Sequence, residues 1–197
     1  MSTNIYAGGI YDLAEDEALY IEATFTGNPV YTSMHLGNLW GESPDYANHQ
    51  SSLNLSQMHI GADGKQRWVV SHRDPGVQNW IDTSGHPEGM LQYRYIWTNN
   101  KPAPSVKIVP FEEIQSALPS DTPSFGNEAR RASLAIRHRH LQRREPVTSS
   151  RFALSNHLTP QQSPNQTLTL NNPRSYEMRG WQTTKIGTPK EALAISY

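Results

Sequence analysis

From Met90 to Trp97 the chain alternates. Leu91, Tyr93, Tyr95 and Trp97 fall in one register, and Met90, Gln92, Arg94 and Ile96 in the other, the period of two that a half-buried strand requires. A second strand is expected from about Ala18 to Phe25, entered by a turn over Gly8-Gly9 and Glu15-Asp16-Glu17 and closed by Gly27-Asn28-Pro29. From Val30 to Trp40, Val30, Met34 and Leu36 take one register and Tyr31, Ser33 and His35 the other, which predicts a strand with one wet face. Two strand-like runs, LNLSQMHI and QRWVVSH, flank Ala62-Asp63-Gly64-Lys65, and an Asp-Gly pair so placed predicts a hairpin. Val106 to Val109 suits a short edge strand after Lys101-Pro102-Ala103-Pro104, and Pro110 can open a short helix through Leu118.

Between His72 and Met90 the alternation stops. Asp74-Pro75-Gly76 reads as a turn, and the stretch from Asn79 to His86 is too polar for a core element and too aromatic for an idle linker. It is expected to be an irregular loop carrying Trp80 at one end of the fold. Further on, Asn127 can cap a helix, Glu128 sits in its first turn and Pro146 closes it. That helix is basic and has few, small apolar positions. The fold class is therefore all-β over residues 1–126, with a C-terminal basic helix over 127–145, and a loosely ordered, low-complexity tail over 146–197 that is rich in Ser, Thr, Asn, Gln and Pro.

Composition narrows the function classes. With 197 residues, 36% of them hydrophobic, one domain of modest core is expected. The chain has no cysteine, which removes disulfides, thiolate zinc sites and cysteine nucleophiles. Neither a signal peptide nor a membrane-spanning run is legible, so no membrane partner is expected. The net charge of -1 conceals an asymmetry: residues 1–126 carry 6 basic and 14 acidic residues, 127–145 carry 6 and 2, and 146–197 carry 5 and 2. An acidic body repels nucleic acid, and the basic helix, without interleaved aromatics, is read as packing by charge on its own domain. No nucleic-acid partner is expected.

The residues singled out as ligand-binding candidates are Asn79, Trp80, Asp82, His86 and Arg94. In the structural reading Asn79 and Asp82 fix the loop backbone while Trp80 plugs the end of the sandwich. In the functional reading Trp80 is a flat wall and Asp82 accepts ligand hydroxyls. Arg94 can anchor Asp82 or an anionic ligand, the structural ion pair being the favoured use. No His pair has the spacing of a helical metal site, and no metal or cofactor is expected. Ser71-His72 fall on opposite faces of a strand, and no G-x-S-x-G elbow exists. Asp74 and Asp82 can serve as acid and base only if a pocket brings them together.

The blocks YAGGIYDLAEDEALYIEATF, HLGNLWGESPDYANHQSSLN, DGKQRWVVSHRDPGVQNWIDTSGHPEGMLQYRYIW and VKIVPFEEIQSALPSDTP, in this order, resemble the DUF1214 family over about residues 5–145. That is a domain of unknown function, which in longer proteins follows a DUF1254-type domain. The resemblance implies an antiparallel β-sandwich of jelly-roll type, and a chain that is a truncated or single-domain member whose parent carries the upstream domain as a partner. The function expected is a module that binds a small polar or carbohydrate-like ligand or supports a partner domain. The alternative is a hydrolase-like enzyme with its site at the 74–94 loop and strand.

Overall fold

The computed structural model describes residues 3–100 and 102–144; the predicted tail lies outside them. Eight strands form two four-stranded sheets. One has the order β1 (Thr3–Asp12), β7 (Glu88–Thr98), β3 (Tyr31–Gly37), β4 (Ser52–Asn54); the other has the order β6 (Trp80–Asp82), β5 (Lys65–Ser71), β2 (Glu17–Thr24), β8 (Ser105–Pro110). Every pairing is antiparallel except β5 with β6. The core lies between the sheets, where alternate residues of facing strands meet: Ile5, Ala7 and Tyr11, Met34 and Leu36, and Leu91, Tyr93 and Tyr95 from one side; Leu19 and Ile21, Trp68 and Val70, and Ile81 from the other. Trp68 packs edge-on against Tyr93 with ring centroids 5.2 Å apart. This is the expected all-β sandwich.

Several strand boundaries differ from the sequence expectation. Gly8-Gly9 is not a turn but the middle of β1, whose inward residues Ile5, Ala7, Gly9 and Tyr11 are all buried, as is Leu13 just beyond its end. The turn falls later, where the Leu13 N–H reaches the Pro87 carbonyl and the Glu17 N–H that of Ala14. The strand expected over Val30–Trp40 ends at Gly37, and Trp40 is 88% exposed. In β7 the alternation holds through Tyr95, but Trp97 takes φ 55° and lies outside while Thr98 turns in, fully buried. The register on β1 shifts at this point, as a bulge requires.

The predicted hairpin is not a hairpin. The Asp63-Gly64 turn forms, with Gly64 at φ 74° and the Gly61 N–H on the Lys65 carbonyl, but a single bridge, Ile60 to Gln66, joins its arms. Beyond Leu55, whose N–H still reaches the Thr32 carbonyl, the chain leaves the ladder because Asn54 Oδ1 accepts from the Ser56 N–H and Oγ, while Gln57 Oε1 takes the Asn54 N–H. These local bonds compete with strand pairing. β4 therefore stays with β3 and β5 joins the other sheet.

Pro110 leads into a short 3-10 turn, Phe111–Glu113, and helix α1, Ile114–Ala117. With Ala18, Val69, Val77 and Trp80 these cover the outer side of the second sheet. Helix α2 runs from Asn127 to Arg144. Its first bond is from the Arg130 N–H to the Gly126 carbonyl, so Gly126, rather than Asn127, occupies the capping position. Its only buried residue is Arg130. Among the described residues no helix is long and apolar enough to cross a membrane.

Candidate functional site

The five predicted ligand residues do not converge. Asn79 is buried and spent on backbone: Oδ1 accepts from the His59 N–H at 2.8 Å, and Nδ2 donates to the carbonyls of His59 and Arg67 at 2.7 and 2.8 Å. Trp80, 6% exposed, is no end plug. It lies in the outer cluster of the second sheet, with Nε1 donating to Ser71 Oγ at 3.0 Å. The stretch read as loop is irregular except at Trp80–Asp82, which form strand β6 with Ile81 fully buried. Periodicity hides it because three residues are too few to alternate visibly. His86 is exposed on the turn that follows. Arg94 faces outward on the other sheet, paired across to Tyr6 and Ser33.

Asp82 is held by a residue that the sequence analysis did not select. Its Oδ2 lies 2.7 Å from His49 Nδ1, and its Oδ1 accepts the Ser84 N–H. His49 sits 33 positions away in a loop that sequence spacing does not connect to β6. Tyr11 feels the same carboxylate: burial, with the Asp82 charge adding to it, pushes its phenol up to about 12. Asp74 is bound instead to Arg130, so the two carboxylates serve separate partners and form no acid and base pair.

α2 builds the second feature. Arg130 bonds Asp74 and the Val77 carbonyl beside β6, while Arg137 donates to Ser52 Oγ at 3.1 Å and the Ser52 carbonyl at 2.8 Å on β4. Two helical turns separate these arginines, about 10 Å of rise, which matches the spacing of packed sheets. The helix is thereby fastened to the loop between β5 and β6 and to edge strand β4. Its later half stands over the outer face of the first sheet and borders an open cleft of about 680 Å³. Floor and wall come from β3, β4 and β7, with Ser33, His35, Ser52, Asn54 and Arg94 among them; α2 supplies Ser133, Ile136, Arg137, His140 and Arg144. The expected Arg94 ion pair is absent among the described residues, where its Nε has no hydrogen-bond partner and its guanidinium lies 5.2 Å from the Tyr6 ring.

His35 lies on this floor. Burial, and then the Arg94 charge, hold its imidazole below the ordinary histidine range, against a hydrogen bond to Gln92. Near the ordinary value the unfolded chain therefore binds more protons than the folded one, so stability rises with pH. The contribution is intact above about pH 6.5 and is lost as the pH falls toward the folded value. Urea unfolding from about pH 7.5 to 5.5 should show a larger loss in the native chain than in His35→Gln. Parallel losses would refute this.

Against known proteins, the chain matches no family profile and no curated protein. Among solved structures it is similar to an uncharacterised protein from Burkholderia cenocepacia, at 30% identity and a TM-score of 0.54 over 58% of this chain. The chain spans 31% of that protein's length.

Proposed function

We infer that this domain is a binding module whose ligand site is the cleft between the outer face of the first sheet and α2. The observation that carries the reading is the cleft itself, about 680 Å³, mixed polar and apolar in lining and walled on one side by a helix fastened to the body by Arg130 and Arg137. That volume lies in the range of small-molecule sites, and its serines, Asn54 and two histidines suit a small polar or carbohydrate-like ligand. A DUF1214-type, jelly-roll identity, with a DUF1254-type domain as partner in a longer parent, belongs to the same proposal. Similarity to under a third of a longer solved protein is consistent with it.

The test is a thermal-shift screen of the full chain against neutral sugars, polyols and small acids, repeated with Ser133→Trp to fill the cleft. A saturable stabilisation that Ser133→Trp abolishes, with the fold retained, is the expected result. Ligand responses that survive the blocked cleft would overturn the assignment.

A second reading, hydrolase-like, rests on the Asp82–His49 pair, since His49 is partly exposed and a carboxylate on Nδ1 orients an imidazole for base work. Ester hydrolysis abolished by His49→Ala would favour it. No hydrolysis above the buffer rate would remove it.

A further inference from the structure

We propose that the cleft takes an anion, a small molecule presenting a carboxylate or phosphate group to Arg94 on the sheet floor. The inference rests on the cleft being the ligand site, and it narrows the chemistry from polar to anionic.

Charge placement is the first support. The body through residue 126 carries 14 carboxylates against 6 basic side chains, yet among the described residues no Asp or Glu lines the cleft. Arg94, Arg137 and Arg144 do, with His35 and His140. In an acidic domain such a cleft is a local reversal of sign, and a concave wall of one sign concentrates ions of the other.

Unmet demand of the arginines is the second. Arg94 has no carboxylate partner among the described residues, and its Nε is buried without an acceptor. Strand pairing fixes its surroundings: Tyr6, Arg94, Ser33 and Asn54 form one row across the sheet, and Gly8, Gln92, His35 and Ser52 the next. The guanidinium is thus bordered by the Tyr6 ring on one side and by hydroxyl and imidazole groups on the other. Among the described residues Arg137, across the cleft, is bound to neutral oxygens of Ser52 and Tyr46 and to no carboxylate. Burial pushes its guanidinium down. Desolvated cations with neutral partners leave a cost that an incoming anion relieves, and the planar fork of Arg94 suits bidentate contact with carboxylate or phosphate.

The experiment titrates the full chain with inorganic phosphate, succinate and glucose in turn, at constant ionic strength, following amide chemical shifts and melting temperature. Saturable binding of phosphate or succinate is expected, and which of the two binds tells phosphate from carboxylate preference. Arg94→Gln should weaken it by about tenfold or more, whereas Arg139→Gln, which removes an equal charge from an exposed position on α2 outside the cleft, should leave affinity unchanged. Equal weakening by the two variants would reduce the effect to general charge and overturn the proposal. Binding of glucose alone, indifferent to Arg94→Gln but lost in Ser133→Trp, would overturn the anion while sparing the cleft. If no probe binds, the anion proposal fails.

Discussion

Replacing Arg130 by Ala is expected to lower the unfolding free energy by about 3 kcal/mol, because it strips the partner from a largely buried carboxylate. Arg130 Nε and Nη2 hold both oxygens of Asp74 at 2.9 and 3.2 Å, and Nη2 also reaches the Val77 carbonyl at 2.7 Å. The guanidinium lies 4.5 Å from the Phe125 ring and 4.9 Å from that of Trp80, close enough for cation–π attraction. The helix has little else to hold it at this end, since none of its apolar residues is buried. Its removal should therefore free α2 as well as cost stability, and the cleft should lose its helical wall. Urea unfolding gives the energy, and faster tryptic cleavage within 127–144 reports the helix. A loss below about 0.5 kcal/mol, the range of an ordinary surface substitution, would show that the helix docks by other means. Arg130→Lys should fall between, because an ammonium cannot span both carboxylate oxygens.

Trp68→Ala should cost more, about 3–5 kcal/mol, the usual cost of emptying a large aromatic site in a core. Trp68 is fully buried, touches Tyr93 across the two sheets, and donates Nε1–H to Met58 Sδ at 2.8 Å. Around it, the Tyr93 and Tyr95 hydroxyls both donate to Gln66 Oε1, at 2.8 and 3.3 Å. The cavity would thus adjoin a buried polar cluster that has no ready way to collapse. With total stabilities of about 5–15 kcal/mol for typical domains, such a loss takes a large share of the total, so the near-ultraviolet circular dichroism should melt out at a much lower temperature than in the native chain. Trp68→Phe, keeping a ring, should lower the melting temperature less. A native melting temperature in the Ala variant would mean that Trp68 is not central to the core.

The charged pairs on the outer face of the second sheet behave differently. Glu22 takes Lys65 Nζ at 2.6 Å and Arg67 Nε at 2.8 Å, and Arg67 also binds Asp63. The Lys65 contact, resisted by desolvation and helped by Arg67, holds Glu22 below the usual carboxylate range, and Arg67 draws Asp63 to about 2. Exposed pairs of this kind are screened and contribute little individually. They order the turn that passes the chain from one sheet to the other.

The fold was legible wherever burial on one face writes a period of two into the chain. β7 through Tyr95 and β3 could be read this way, whereas β2 and β8 were legible from the turns that bound them and basic helix α2 from its terminal residues and charge; that helix does bring a cation, Arg130, to an acidic partner on the body. Where a strand is short or rich in glycine the period is lost, as in β6 and the middle of β1. The candidate residues fared unevenly for a related reason. The ligand reading of Asn79 rested on its side-chain chemistry, and local sequence cannot tell whether an amide is spent on buried carbonyls or free for a ligand.

Composition and periodicity thus determined by themselves that this is a β-rich chain with an acidic body and a basic helix, because those properties sum over residues regardless of who neighbours whom. Which sheet each strand joined, the meeting of His49 with Asp82, and the placement of Arg94 in the cleft beside α2 were decided by tertiary structure. The last two depend on contacts between residues 33 or more positions apart, and strand pairing on contacts at least 11 apart, where the outcome is set by competing packings of the whole chain rather than by any local preference.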